Sequence, residues 1–381
     1  MKSTARFVTA GAAALAATAL LATPSLAATH GAHGAQHPAS GAVFVQTDGT
    51  GGNAVVVYDR HGDGTLTQAG QYATGGLGGI LAGAVVDYLA SQGSLTYDSA
   101  HGLLYAVNAG SDTVTVFGVH GDHLVRHQVI GSGGSFPVSV ATRGNVVYVL
   151  NARDGGSVQG FLRVGGALVR VPSWHRALGL DASQTPEFTS TPGQVAFTPD
   201  GRQLVVTTKG NGSDIDVFAL TPGGTPSATP VVNADPGAVP FAVSFDAGGH
   251  LAVAEAGTNS VATFTVGRGG KLTLISRAAT GQAATCWIVR DGSLFYASNA
   301  GSASLSGYAD FGSGALHALG NTAAGAGTVD AVASPDGRDL YVRGGAAGTV
   351  TEFAVHANGS LTELGSVTVP DAVGGEGIAV S

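Results

Sequence analysis

Apolar and polar positions alternate along most of this chain in short runs, and the runs recur as one decaying phrase. Its clearest copies are Leu104-Tyr-Ala-Val-Asn-Ala-Gly-Ser-Asp-Thr-Val-Thr-Val-Phe117 and Leu294-Phe-Tyr-Ala-Ser-Asn-Ala-Gly-Ser-Ala-Ser-Leu-Ser-Gly-Tyr308. Each reads as an apolar strand, a small polar turn and a second, alternating strand. Seven copies align, near Val43, Leu104, Val146, Leu204, Leu251, Leu294 and Leu340, with spacings of 61, 42, 58, 47, 43 and 46 residues. Most spacings fall in the range of propeller blades. The two long ones require insertions, placed at the Gly-rich stretch 75–93 and at 172–192.

Each repeat holds four strands. In the fourth copy these are 194–197, a turn at Pro199-Asp-Gly-Arg202, then 204–207 and 215–219. The fourth strand is carried by a Gly-x-Leu-Thr phrase, seen as Gly64-Thr-Leu-Thr67, Gly270-Lys-Leu-Thr273 and Gly359-Ser-Leu-Thr362. No long stretch has a helical apolar period. The first repeat lacks an opening strand, and the chain ends on one with no successor, Glu376-Gly-Ile-Ala-Val-Ser381. The pattern therefore predicts an all-β, seven-bladed β-propeller of four-stranded antiparallel blades. The N- and C-terminal strands share one blade and close the ring, which protects strand edges.

Composition adds three points. Lys2 and Arg6 precede an apolar run from Phe7 to about Ala22, and Ser25-Leu-Ala27 follows. This predicts an export signal over 1–27, a His/Gly/Ala leader over 28–40 and the propeller over 41–381, outside the cytoplasm and with no membrane span after cleavage. A start at Ala28-Thr29-His30 would present a nitrogen set suited to Cu(II) or Ni(II). Cys286 is the only cysteine, so no intrachain disulfide forms. The net charge of −8 falls to about −10 without the signal, and there is no basic stripe, which argues against nucleic acid as a partner. A monomer is expected.

The chain resembles the lactonase-like seven-bladed propellers, the group of bacterial 6-phosphogluconolactonases and fungal 3-carboxymuconate-lactonising enzymes. The phrases that carry the resemblance are Ser91-Gln-Gly-Ser-Leu95, Val107-Asn-Ala-Gly-Ser111, Phe136-Pro-Val-Ser-Val140, Pro240-Phe-Ala-Val-Ser-Phe245 and Ala284-Thr-Cys-Trp-Ile288. It implies a histidine before the first strand of the middle blade and an acidic turn after its second. Here those places read Thr191-Pro-Gly-Gln194 and Thr208-Lys-Gly210. It implies an Arg-His pair opening the next blade, where this chain has Pro240-Phe-Ala242. An Asn-Glu turn in that blade is kept in part, as Ala254-Glu255. The lost groups are those that would stabilise an oxyanion or enolate.

Glu255 is accordingly expected as a base and Lys209 as its electrostatic partner, facing it across the channel mouth. Gln92, Phe136, Gln194, Phe241, Cys286, Trp287 and Asp330 stand at or before first strands, where propeller pockets form, and are expected to line a substrate site. Asn108, Asn151 and Asn299 recur at one repeat position and read as turn formers. The glycines at 75–79 lack a phosphate-loop ending, no Gly-x-Ser-x-Gly elbow is present, and no histidines in the propeller have zinc spacing. Neither metal nor cofactor is called for. The expected function is lactone hydrolysis or formation on a lactone or sugar acid. The alternative is a non-catalytic propeller that binds a small anion, a glycan or a protein. Convergence of Glu255, Lys209 and a third polar group on one cavity would separate the two.

Overall fold

The computed structural model describes residues 39–381. The export signal, residues 28–38 of the leader and the Ala28-Thr29-His30 set lie outside the described residues. Seven sheets of four antiparallel strands, the third with an added two-residue strand, follow one another in a ring, as the repeat predicts. Numbered in chain order, the blades have innermost strands Ile378–Val380, Leu95–Asp98, Pro137–Arg143, Val195–Phe197, Pro240–Phe245, Thr285–Asp291 and Thr328–Ala333. The first blade takes its innermost strand from the C-terminus: Val43, Phe44 and Val45 pair with Val380, Ala379 and Ile378. Its second strand begins at Ala39, two residues before the expected Gly41.

Burial explains the phrase. Second strands are sandwiched between neighbouring blades, and all six residues of Leu103–Asn108 are buried. Fourth strands form the rim, so Leu361–Thr368 alternates half-buried and exposed positions. A tyrosine in the second strand also clamps each of three blades to the next. The hydroxyls of Tyr148, Tyr296 and Tyr341 donate to the carbonyls of Gly224, Gly359 and Gly64 at 2.7, 3.0 and 3.0 Å. A buried phenol needs such a partner, and the accepting glycines have φ of +93°, +80° and +85°, conformations that exclude most side chains.

Both insertions lie where the spacing put them. The stretch 75–93 contains no strand. The stretch 172–192 holds a 3-10 turn (Pro172–Trp174), a two-residue strand (Arg176–Ala177) and a single helical turn (Glu187–Ser190). The recurrent asparagines are structural in a different way from the one expected. Asn108 and Asn299 are fully buried and bridge second and third strands. Asn108 Nδ2 donates to Thr113 and Thr115, and Asn299 Nδ2 to Ser304 and Ser306. The left-handed turn residues are Asp112, Asp154 and Ala303 instead. A polar side chain at the end of a wholly buried strand does more by satisfying neighbouring hydroxyls than by bonding its own backbone.

Candidate active site: the floor of the central channel

The innermost strands begin at one face of the ring and end at the other. At the first face the insertion 75–93 lies over the channel, held from four other blades. Tyr88 N donates to Gly374 O at 2.8 Å and Ser91 Oγ to Val138 O at 2.8 Å. Trp287 Nε1 donates to Ser91 O at 2.7 Å, and Lys209 Nζ to Ala90 O at 2.7 Å. Leu81, Leu89 and Ala90 of the insertion share one apolar cluster with Phe136, Phe241 and Trp287. Three of the expected pocket-lining residues are thus core beneath a plug. Cys286 remains half-buried, and burial pushes its thiol up to about 12, which leaves it protonated and unreactive at neutral pH.

Glu255 and Lys209 do not share partners. Glu255 stands at the register position of the buried asparagines: it pairs with Ser260 as Asn108 pairs with Thr113 and Asn299 with Ser304. It accepts from Ser260 Oγ at 2.6 Å and takes a two-pronged bond from Arg277, Nε to Oε2 and Nη2 to Oε1, both at 2.8 Å. Arg277 Nη2 also reaches Asp235 Oδ2 at 2.6 Å. Burial raises the Glu255 pKa against the lowering effect of Arg277. Lys209 spends its three protons on Ala90 O, Phe188 O and Thr191 Oγ1, at 2.7, 2.6 and 2.9 Å, tying both insertions together. Its ammonium also lies 5.2 Å from the centre of the Phe241 ring. Burial lowers its pKa to about 8, offset in part by Asp87 and Glu376. Removing the fork by Arg277→Ala would leave a buried carboxylate with hydroxyl partners alone. Because Arg277 is 36% exposed, the expected loss is discounted to roughly 1–3 kcal/mol, read by chemical denaturation.

Beneath the plug lies a group of charges that the sequence reading missed. Glu376, Asp48 and Arg343 are at most 1% exposed, and Asp87 is 6% exposed. Burial raises the pKa of both Asp87 and Glu376, and the charge of Asp87 adds to the rise at Glu376. Glu376 also accepts from Ser91 Oγ and, at 3.2 Å, from Ser91 N, while its own N donates to Asp48 Oδ2 at 2.9 Å. Burial raises Asp48 to about 6 and Glu376 well above the usual carboxylate range. Arg343 Nη2 donates to Gly375 O at 2.7 Å, whereas Nε and Nη1 have no hydrogen-bond partner among the described residues. Asp48, Asp330 and Glu376 are the carboxylates that sustain its charge.

The other side of this cluster is open. A channel cavity of about 400 Å³ runs from Gln92, Gln194 and Asp330 to Thr198, Pro199 and Arg143 at the far ends of the strands. Gln92 closes its inner end: the side-chain amide donates to Ile288 O and accepts from Ile288 N, both at 3.0 Å, joining the second blade to the sixth. Gln194 Oε1 accepts from Val243 N at 2.6 Å, which turns its amide nitrogen away from that strand. Asp330 is 4% exposed and accepts from Ala331 N at 2.9 Å. Burial raises its pKa to about 7, with Asp87 adding to the rise and Arg343 opposing it. The structure therefore gathers three of the positional candidates on one floor: a hydrogen-bonding amide, a fixed spacer and a carboxyl poised near neutrality.

Among the described residues, one set of three side chains could hold a metal ion. Asp246, His250 and Asp310 bring ligand atoms within 4.8 Å of one another. They lie off the channel, between the fifth and sixth blades, and His250 Nδ1 is bonded to Asp246 Oδ2 at 2.6 Å.

The channel of this seven-bladed propeller thus ends on ionisable carboxyls. The chain belongs to the seven-bladed β-propeller lactonase family, whose model matches residues 85–374. Among solved structures, the periplasmic gluconolactonase of Pseudomonas aeruginosa superposes with a TM-score of 0.71 at 19% identity, covering 89% of this chain and 98% of that one. A candidate 6-phosphogluconolactonase from Bacteroides fragilis gives 0.70 at 19%, covering 90% and 98%. Virginiamycin B lyase from Staphylococcus aureus gives 0.54 at 13%, covering 77% and 90%. At these identities the structures share the fold. No curated protein matches the chain.

Proposed function

We propose that this protein opens lactone rings in the channel, entered from the face where the innermost strands end, and that Asp330 rather than Glu255 is the base. The carrying observation is the coincidence of a solvent-connected cavity with a buried carboxyl whose pKa is about 7. Asp330 would take a proton from water as the water oxygen bonds to the lactone carbonyl carbon. The Gln194 amide would donate to the carbonyl oxygen as charge builds there. Cleavage of the ring C–O bond then returns the proton from Asp330 to the leaving oxygen and yields a hydroxy acid. Glu255 is less suited, since its oxygens are occupied by Arg277 and Ser260.

The substrate class is a lactone of a sugar acid, and the protein acts as an exported monomer. Export rests on the charged, apolar and small-residue pattern of 1–27. A second reading, a non-catalytic binder of a small anion, glycan or protein, is favoured by one observation. Lys209 and Arg343 are fully buried under the plug, so neither can reach into the channel to contact an oxyanion directly. Base uptake during hydrolysis of glucono-, muconate- and homoserine-type lactones decides between the readings. The proposal expects turnover that survives Glu255→Gln and is lost in Asp330→Asn. Turnover by neither variant nor the parent supports the second reading.

A further inference from the structure

A second groove of about 1170 Å³, which shares Arg143 and Phe197 with the mouth of the channel cavity, lies on the face where the channel opens. It is built from turns of three consecutive blades, and each turn brings an exposed arginine. Arg143 ends Pro137–Arg143 of the third blade, Arg202 sits in the turn before Gln203–Thr207 of the fourth, and Arg268 follows Ser260–Val266 of the fifth. Among the described residues, Asp200 is the only acid lining the groove. Its Oδ1 is committed to its own turn, accepting from Thr198 Oγ1 at 2.7 Å and Arg202 N at 3.0 Å, and its Oδ2 lies a loose 3.8 Å from Arg202. The groove is thus locally cationic on a chain of net charge −8.

The cations are held in place. Arg143 Nη1 donates to Pro199 O at 2.7 Å and crosses the turn at Gly201, whose φ of +69° favours glycine. Gln203 Nε2 donates to Gly267 O and Arg268 O at 2.9 and 3.2 Å, fixing the turn that carries Arg268. Each guanidinium retains donors for a ligand.

We infer that this groove binds an acidic oligosaccharide of uronic-acid type. Three guanidiniums on three successive blades suit carboxylates spaced along a chain better than one compact anion, and planar guanidinium matches carboxylate in two-pronged bonds. Asn145, Thr221 and the glycine-rich turns add hydrogen-bonding groups for hydroxyls. Nucleic acid fits less well. Phe197, the aromatic lining the groove, is packed edge-on to Tyr148 with 5.9 Å between ring centres and offers no stacking platform. Binding here does not depend on chemistry in the channel.

Fluorescence anisotropy with labelled hexagalacturonate tests the inference. Saturable binding is expected, with neutral maltohexaose at least about tenfold weaker. Raising salt from about 50 to about 300 mM should weaken it several-fold. Arg268→Gln should weaken binding about three- to tenfold, and Arg143→Gln/Arg202→Gln/Arg268→Gln should abolish it. All three side chains are exposed, so melting temperature should be unchanged, and Arg170→Gln, an exposed arginine outside the groove, should bind as the parent does. The inference is overturned by absent binding, by equal affinity for maltohexaose, by binding that persists in the triple variant or falls equally in Arg170→Gln, or by tighter binding of oligodeoxythymidine.

Discussion

Asp330→Asn is expected to lower lactone turnover by about 10²- to 10⁴-fold, the range for loss of a general base, while making the protein more stable at alkaline pH. The two effects have one origin. An aspartate that titrates at 3.8 when unfolded and near 7 when folded takes up a proton on folding between those values. Its contribution is therefore most favourable below about pH 4. Stability declines as pH rises through the window to about 7 and stays at the lower level above it, by an amount on the order of 4 kcal/mol. Asparagine removes that dependence. Denaturant titrations at pH 5 and pH 8 should show the variant gaining more on the parent at pH 8 than at pH 5. A residue whose loss stabilises the fold and abolishes turnover is a functional one. Equal stability of variant and parent at pH 8 would show that Asp330 is not held near neutrality.

Arg343→Met is expected to be the most destabilising single change in the channel. It removes the cation that faces Asp48, Asp330 and Glu376 and leaves those carboxyls buried without it. Breaking such a buried set costs about 3–5 kcal/mol. The loss should be largest near pH 8 and shrink toward pH 5, because Asp48, raised to about 6, and Asp330, raised to about 7, then take up protons and no longer need the cation. Thermal melts across that range check the sign. A loss that is constant with pH would mean that Arg343 acts through packing alone.

The fold was legible because the repeat is written in strand periodicity, which depends on neighbours along the chain. All seven phrase starts fall in second strands, and even the shared first blade could be read from an unpaired strand at each end. The site was only half legible. Gln92, Gln194 and Asp330 were found by position, because every blade begins its innermost strand beside the channel. Glu255 was expected at a mouth, yet the repeat already placed it with Asn108 and Asn299, whose role is to bridge strands. Its partner Arg277 lies on the fourth strand, 22 residues away. The buried charges were not legible, because the insertion's path is a tertiary matter: Ser91 meets Glu376 across 285 residues. The weak signals were an arginine in the apolar run Leu340-Tyr-Val-Arg343 and one of five glutamates set among glycines before the last strand.

The central claim is that a carboxyl on the channel floor, poised near neutrality, opens lactones. Its most direct test is the pH dependence of kcat/KM for whichever lactone the parent protein hydrolyses fastest, followed by base uptake from pH 5 to 9. The account predicts a rate that rises with pH through a single step near pH 7, where Asp330 ionises, and levels above it. A rate above background with no step in that range, or no turnover of any lactone, would contradict it.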